Sequence, residues 1–228
     1  PVTLLNEGGK PIVFAFPPIA GLGAAFKEIA NELPDYSIYS FDFIAHDYLI
    51  NEYVDHILNI QPEGPYLLMG YSAGGNLAFE IAKVLEEKGH HVQGIILLDT
   101  LRQTEYQLVN DEEIRENVAL IDKAAEENEI LKVASIRNTI VQNIENYGAL
   151  LNTIINDGMV EASIHLILAK EIEREEELKW KESTMSTYME YQGFSTHHEM
   201  VDKKYAKQHA YLIHEILELL LHQVKVSH

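Results

Sequence analysis

The stretch that decides the fold is Tyr66–Phe79, which reads YLLMGYSAGGNLAF. It opens with a short apolar run, as expected for a strand that is buried on both faces of a sheet. It closes with apolar residues at helical spacing, and this helical pattern continues to Lys88. Between the two lies Gly70-Tyr71-Ser72-Ala73-Gly74, the spacing G-x-S-x-G in a strand–turn–helix setting. The pattern predicts that the Ser72 hydroxyl stands on a sharp turn at the edge of a sheet and acts as a nucleophile.

The glycines of this turn and the helix after it suit a nucleophile. A serine on a tight turn brings the residues two positions away so close to other backbone that they tolerate no Cβ atom. The helix that starts at Ala73 points its free N–H groups and its positive dipole end towards the serine, which favours negative charge there. A tight turn with an incidental serine is the alternative interpretation.

Apolar runs and helical patterns alternate along the rest of the chain, which is typical of a mainly parallel sheet with helices on both faces. The predicted strands are Ile12–Phe16, Ser37–Phe41, Tyr66–Met69, Gly94–Leu98 and Ser163–Leu168. The predicted helices are Ala24–Leu33, Tyr48–Ile60, Ala73–Lys88 and Lys203–Val224. Together with the serine turn, this order predicts the α/β-hydrolase fold in a single domain that spans residues 1–228.

The segment from Leu101 to about Val160 breaks this rhythm. It carries helical patterns but no convincing strand between Gly94–Leu98 and Ser163–Leu168. A helical insertion at this place in an α/β fold commonly covers the site, so we predict a lid at approximately residues 101–160. An ordinary pair of crossover helices is the alternative interpretation.

Two backbone N–H groups are predicted to stabilise the oxyanion that forms when a serine attacks a carbonyl carbon. One belongs to Ala73, directly after the nucleophile. The other comes from the loop after the first strong strand. Pro17 and Pro18 have no N–H, so Ile19 is the first residue of that loop able to donate. A plain turn at the two prolines is the alternative.

The general base is expected to be a histidine near the C-terminal end, because these folds run serine, acid, histidine along the chain. Of the 11 histidines, His197 and His198 lie in a loop just before the last helix, where a side chain can reach the serine. The others have structural explanations. For example, His165 lies inside a predicted strand, and His209 is one of several histidines within the predicted last helix. The sequence itself does not choose between His197 and His198.

Three carboxylates compete for the role of the acid that orients this histidine. Asp99 follows the apolar strand Gly94–Leu98 at its carboxyl end, where catalytic groups gather in such sheets. Glu171 follows Ser163–Leu168, the more usual place, but it opens an acidic run that is typical of a solvated helix face. Asp42 is the weakest candidate. We therefore favour Asp99, with a capping role at the strand end as the alternative.

Composition narrows the functional classes. The 228 residues include 17 basic and 36 acidic side chains, and the formal charge of −19 disfavours binding to nucleic acid or to anionic membranes. No stretch approaches the ~20 apolar residues that span a bilayer. The absence of cysteine excludes disulfides, a cysteine nucleophile and thiolate metal sites. Pro1 is not an initiator and no secretory signal follows it, so we expect a trimmed chain or a piece of a longer polypeptide, located in the cytoplasm.

Several stretches, taken in order, resemble the terminal thioesterase domain of nonribosomal peptide synthetases. They cover nearly the whole chain, and their joint order is more specific than any one of them. The stretches are Phe14–Pro18, Tyr39–Ile44, Gln61–Pro65, Gly70–Gly74, Ile95–Asp99 and Gly193–Met200. The resemblance is strongest to the lipopeptide type, with the fengycin type first and the surfactin type second.

The resemblance implies roles for individual residues. They are the nucleophile Ser72, the acid Asp99 and the oxyanion donors Ile19 and Ala73. Because the family's histidine is followed three positions later by Met or Leu, the resemblance selects His197, which precedes Met200. The lid is the family's most variable part, so no functional residue is carried into it.

The resemblance also implies a reaction. A peptidyl carrier domain of the same synthetase presents the peptide as a thioester on its phosphopantetheine arm, and the serine takes it over as an acyl-enzyme. An internal hydroxyl or amine then releases a macrocycle, first of all a macrolactone, whereas water gives the linear acid. No metal and no bound cofactor are expected. The alternatives are a stand-alone serine esterase or lipase for small acyl esters and a non-catalytic binding module with a hydrolase-like fold.

Overall fold

A mostly parallel sheet forms the centre of the molecule. The computed structural model describes residues 2–106, 111–127, 129–170 and 178–226. Its strands are β1 (Val2–Asn6), β2 (Lys10–Phe16), β3 (Tyr36–Phe41), β4 (Tyr66–Tyr71), β5 (Val92–Leu98), β6 (Ser163–Leu168) and β7 (Tyr188–Gln192). They are ordered β1-β3-β2-β4-β5-β6-β7, and every pair is parallel except the antiparallel pair of β1 and β3.

Helices cover both faces of this sheet. They are α1 (Lys27–Asn31), α2 (Leu49–Ile60), α3 (Ala73–Glu87), α4 (Asp111–Glu127), α5 (Ala134–Leu151) and α6 (Lys203–Val226). One face packs against α2, α3 and the end of α5, and the other packs against α1 and α6. Among the described residues, no helix combines the length and the apolar character that crossing a membrane would need.

The central strands explain why their sequences are apolar almost throughout. In β2, Phe14 and Phe16 pack on the side of α2 and α3, whereas Val13 and Ala15 pack on the side of α1 and α6. All four side chains are fully buried. Alternate residues therefore face two different apolar cores, which is the condition for a continuous apolar run in a parallel strand.

The architecture is that of the α/β-hydrolase fold, which confirms the predicted fold class. All five predicted strands are present within two residues at either end. The sequence did not predict the two edge strands β1 and β7. The predicted helix Ala24–Leu33 is a 3₁₀ turn at Gly23–Phe26 followed by the short α1.

Two helices, α4 and α5, lie between β5 and β6. The described residues between 101 and 160 contain no strand. The far end of α5 packs into the molecule, because the buried Tyr147 stacks on Phe43 at 4.3 Å and donates a hydrogen bond to the Pro17 carbonyl at 2.9 Å. An Arg137–Asp122 ion pair of 2.6 Å joins the two helices. Residues of both helices line cavities that also reach Ser72. The role of α4 and α5 as a lid stays a prediction.

Candidate active site

Ser72 sits on a strained turn between β4 and α3. Its φ of 52° and ψ of −123° are backbone angles that a residue with a side chain rarely adopts. Two hydrogen bonds hold this conformation. The Ser72 N–H donates to the Leu98 carbonyl at 3.0 Å, and the Gly75 N–H donates to the Ser72 carbonyl at 2.9 Å. The hydroxyl is thereby presented at the carboxyl edge of the sheet.

Two glycines allow the backbone to approach itself at this turn. A Cβ atom on Gly70 would lie 2.3 Å from the Gly74 carbonyl oxygen. A Cβ atom on Gly74 would lie 2.1 Å from the Phe16 carbonyl oxygen, in the chain that leads into the predicted oxyanion loop. The first turn of α3 therefore packs directly against that loop because neither glycine carries a side chain.

Asp99 follows β5 directly and is almost fully buried, with 4% of its surface exposed. Its φ of 45° turns the chain away from the sheet. Its N–H donates to the Ile167 carbonyl at 2.9 Å, and its Oδ1 accepts the Ala169 N–H at 2.8 Å. Both contacts come from the adjacent strand β6 and the residue that follows it. One carboxylate oxygen is thus fixed by backbone, and the other, Oδ2, faces His197.

His197 completes a hydrogen-bonded chain with these two residues. Its Nδ1 lies 2.6 Å from Asp99 Oδ2, and its Nε2 lies 3.1 Å from Ser72 Oγ. A carboxylate can only accept, so Nδ1 carries the proton and Nε2 presents its lone pair to the serine hydroxyl. This is the arrangement in which an imidazole can remove a proton from a serine.

Tyr71 holds the loop that carries this histidine. Its phenol donates a hydrogen bond of 2.5 Å to the His197 carbonyl. Burial raises the pKa of Tyr71, so the phenol stays protonated and remains a donor at any pH near neutral. Tyr71 lies next to the nucleophile in sequence but acts on a residue 126 positions later. It stands inside the predicted motif, yet its spacing alone gave no sign of this role.

Thr100 supports the turn from the other side. Its buried hydroxyl donates to the Ser72 carbonyl at 2.9 Å, and the buried indole N–H of Trp180 donates to the Thr100 carbonyl at 2.6 Å. A Cβ atom on Gly75 would lie 2.1 Å from the Thr100 hydroxyl oxygen. Sequence reasoning missed Thr100 and Trp180, and the only available signal was the position of Thr100 next to Asp99.

The remaining predicted residues lie as follows. Ile19 and Ala73 line the same cavity as Ser72, and the Ala73 N–H belongs to the first turn of α3, which has no carbonyl partner within its own helix. The His198 ring lies 5.3 Å from the His197 ring, but the contacts with serine and aspartate are made by His197. Asp42 lies elsewhere and accepts the Gly23 N–H at 2.9 Å. Glu171 lies outside the described residues.

Two cavities open onto Ser72. The larger, about 440 Å³, combines aliphatic side chains with the amides of Asn76, Gln103 and Asn117. The smaller, about 330 Å³, is lined in part by aliphatic side chains of the helical segment, namely Leu120, Ile121, Ala124 and Ile144. Ile19, Asn117, His197 and His198 line both cavities. Within the described ranges, no group of three or more acidic or histidine side chains is placed to hold a metal ion.

Comparison with protein families gives one match that covers most of the chain. Residues 11–224 match the model of the family described as thioesterase domain. Tyrocidine synthase 3 of Brevibacillus parabrevis is 37% identical over 242 residues, an alignment that covers 95% of this chain and 4% of that protein. Surfactin synthase subunit 3 of Bacillus subtilis (strain 168) is 34% identical over 218 residues, which cover 95% of this chain and 17% of that protein. The chain therefore spans only a small part of the curated relatives that it matches.

Comparison with solved structures agrees with the sequence matches. The structure of the thioesterase domain SrfTE, reported as the basis for cyclization of the lipopeptide antibiotic surfactin, superposes with a TM-score of 0.84. The two chains are 32% identical, and the alignment covers 95% of each. The surfactin type is thus among the similar proteins, whereas the fengycin type stays a prediction.

Proposed function

The chain belongs to the thioesterase domain family, and we propose that it releases a peptidyl chain from a peptidyl carrier domain through an acyl-enzyme on Ser72. One observation carries this proposal. A serine, an imidazole and a carboxylate are linked by hydrogen bonds of 3.1 and 2.6 Å at the mouth of two cavities. The similarity to parts of large peptide synthases favours a peptidyl thioester over a small acyl ester as the substrate.

In the acylation step, the Ser72 oxygen attacks the thioester carbonyl carbon while its proton passes to Nε2 of His197. Asp99 keeps Nδ1 protonated and stabilises the imidazolium that forms. The N–H groups of Ile19 and Ala73 are proposed to stabilise the oxyanion. The C–S bond then breaks, and the phosphopantetheine thiolate leaves with the proton from His197. The peptide is left as an ester on the serine.

In the release step, a hydroxyl or amine of the same peptide attacks this ester. His197 takes the proton of the attacking group and returns it to the Ser72 oxygen as the ester bond breaks. A hydroxyl gives a macrolactone and an amine gives a macrolactam, whereas water gives the linear acid. We propose that the macrolactone is the main product. Both steps use only side chains and backbone groups of this chain together with the delivered thioester.

The two cavities suit a reaction in which two ends of one peptide meet at the serine. Both open onto Ser72 and share the side chain of Asn117 from α4. We propose that α4 and α5 act as a lid, which folds the peptide back on itself and limits the access of water to the ester.

The test is to supply a peptidyl thioester of a short pantetheine mimic and to identify the products by mass spectrometry. We expect a cyclic product, some linear acid, and a peptide adduct on the fragment that contains Ser72. The Ser72→Ala variant should lose turnover by a factor of about 10⁴ or more. Ser186→Ala is the matched control, because this exposed serine contacts Ser163 at the start of β6, the end of the strand away from the site, and it should keep wild-type turnover.

Two outcomes would contradict the proposal. Turnover of the thioester by folded Ser72→Ala at the wild-type rate would exclude the acyl-enzyme. Fast turnover of short aryl esters, with no preference for peptidyl chains, would favour the stand-alone esterase instead.

A further inference from the structure

His209 of α6 lies beneath the loop that carries His197. Its side chain is fully buried. Its Nε2 accepts the Phe194 N–H at 2.9 Å, and its Nδ1 lies 2.7 Å from the Met200 carbonyl oxygen. Phe194 stands three residues before His197 and Met200 three residues after it. One imidazole therefore contacts the backbone on both sides of the catalytic candidate at equal sequence distance.

The two contacts require one particular form of His209. A nitrogen that accepts a backbone N–H carries no proton, so the proton of the neutral ring is on Nδ1 and is donated to the Met200 carbonyl. Burial lowers the pKa of His209, which favours this neutral form. The ring thus acts as donor at one end of the loop and as acceptor at the other. A side chain with only one of these functions cannot make both bonds.

The surroundings of His209 leave little room for the loop to move. A Cβ atom on Gly193 would lie 2.5 Å from the Leu168 carbonyl oxygen and 3.2 Å from His209 Nε2. The chain at Gly193 is therefore pressed between the end of β6 and the imidazole. On the helix itself, the neighbouring Ala206 and Ile213 are buried against the sheet. The ring is fixed to α6, and α6 is fixed to the core.

We propose that His209 is a positioning residue, which clasps residues 194–200 so that the His197 imidazole stays within hydrogen-bonding distance of both Ser72 and Asp99. This proposal rests on the role of His197 under the proposed function. It extends the site to a residue that makes no contact with the reacting atoms. A displacement of about 1 Å in a catalytic group can reduce a rate by about 10²-fold, so a clasp that prevents it has a measurable effect on kcat.

The experiment compares two buried histidines. His209→Met removes the donor and the acceptor but keeps an apolar side chain of similar size, and His209→Gln keeps one donor and one acceptor. His165 is the matched control, because it is also fully buried on the α6 face of the sheet but contacts Tyr191 rather than the loop. For each variant, kcat, KM, the melting temperature and the rate of Ser72 labelling by a fluorophosphonate are measured.

We expect His209→Met to lower kcat and the labelling rate by about 10- to 100-fold with KM within about twofold of wild type. His209→Gln should recover most of the loss. His165→Met should lower the melting temperature while kcat and labelling stay at the wild-type level. A folded His209→Met with wild-type kcat would overturn the proposal, and so would a His165→Met that lowers kcat equally.

A spectroscopic measurement covers the case in which His209→Met does not fold. Nitrogen-15 NMR of the wild-type imidazoles should find His209 neutral at pH 7, with the proton on Nδ1. A proton on Nε2 would overturn the proposal, because that nitrogen could not accept the Phe194 N–H. Labelling by a fluorophosphonate needs only a reactive serine, so it still tests the clasp if the wild-type protein turns over no peptidyl thioester and the proposed function fails.

Discussion

The turn at Ser72 depends on glycines that lie beside it in the sequence, whereas the loop that carries His197 is held by hydrogen bonds from side chains outside the loop. Gly70, Gly74 and Gly75 lie within three positions of the serine and let the turn approach its own backbone, the chain at Phe16 and the Thr100 side chain. The His197 loop is fastened by Tyr71, 126 positions earlier, and by His209 on the following helix.

This difference in construction has consequences for tolerance to change. At the turn, a side chain added at Gly70 or Gly74 would meet backbone atoms, which cannot rotate out of the way, and one added at Gly75 would meet the buried Thr100 side chain. At the loop, each fastening is a separate hydrogen bond from a side chain, and one such bond contributes about 0.5–1.5 kcal/mol net. We therefore expect substitutions at the turn to abolish activity. Substitutions that remove one hydrogen bond at the loop should reduce the activity only partly.

Gly74→Ala tests the turn and has the largest expected effect. Its Cβ atom would lie 2.1 Å from the Phe16 carbonyl oxygen and 2.7 Å from the Pro17 carbonyl oxygen. The start of α3 must then separate from the loop of Ile19, which disrupts the proposed oxyanion site. We expect phosphonate labelling of Ser72 to fall by at least about 10²-fold, the typical cost of one lost oxyanion donor.

Gly9→Ala is the matched control for this prediction. A Cβ atom at Gly9 meets no atom within 4 Å, so both labelling and the melting temperature should stay close to wild type. If Gly74→Ala labelled as fast as Gly9→Ala, the turn would be more adaptable than its geometry indicates, and the contrast between the two regions would be lost.

Tyr71→Phe tests the loop and has a smaller expected effect. The change removes the phenol that donates to the His197 carbonyl and leaves the ring in place. Because a net loss of 1.4 kcal/mol corresponds to a factor of ten, we expect kcat to fall by about three- to tenfold with KM within about twofold. Steady-state kinetics on the peptidyl thioester provide the measurement.

Tyr66→Phe is the control for Tyr71→Phe, because it lies on the same strand β4 and also donates to a backbone carbonyl, that of Gln61 at 2.9 Å. It stands at the opposite end of the strand from the site. Its kcat should equal that of the wild type. Equal kcat values for the two variants would show that the bond from Tyr71 does not position His197.

The central part of the fold could be predicted from the sequence because its strands are buried on both faces. The edge strands β1 and β7 could not, since most of their side chains are partly or fully exposed and their residues carry no continuous apolar run. Each has a neighbouring strand on one side only. Their existence depends on pairing with β3 and β6, which is a tertiary contact rather than a local pattern.

The site also divides into parts that a local sequence pattern predicts and parts that depend on tertiary contacts. The turn at Ser72 could be predicted because its strand, glycines and helix are contiguous. The sequence alone did not decide whether His197 or His198 is the general base. For adjacent residues of a loop, the direction of each side chain depends on tertiary contacts. The roles of Tyr71 and Thr100 in holding the site were missed for that reason, and so was the contact of His209 with the loop. Buried histidines look alike in sequence whether they fill a core or hold a loop in place.

His165 is a buried histidine that does not contact the His197 loop, so it serves as the comparison for His209. Its substitution has the smallest expected effect on function. It is fully buried in β6, its Nδ1 lies 2.9 Å from the Tyr191 hydroxyl, and among the described residues its Nε2 has no hydrogen-bond partner. Burial lowers its pKa from 6.5 to about 4. The folded protein therefore takes up this proton only near pH 4, whereas the unfolded chain takes it up near pH 6.5. The unfolded state binds more protons between these values, so His165 makes the wild type lose stability as the pH falls.

His165→Met removes this proton uptake. We expect the free energy of unfolding of the wild type, relative to that of the variant, to fall by about 2 kcal/mol between pH 7.5 and pH 5, as measured by urea unfolding at each pH. Activity at pH 7.5 should be the same in both proteins, since the residue does not contact the His197 loop. Parallel stability curves would mean that His165 is protonated as easily in the fold as in the unfolded chain. A change in kcat would mean that a buried histidine on the α6 face affects the site without contacting the loop. The distinction between His165 and His209 would then no longer hold.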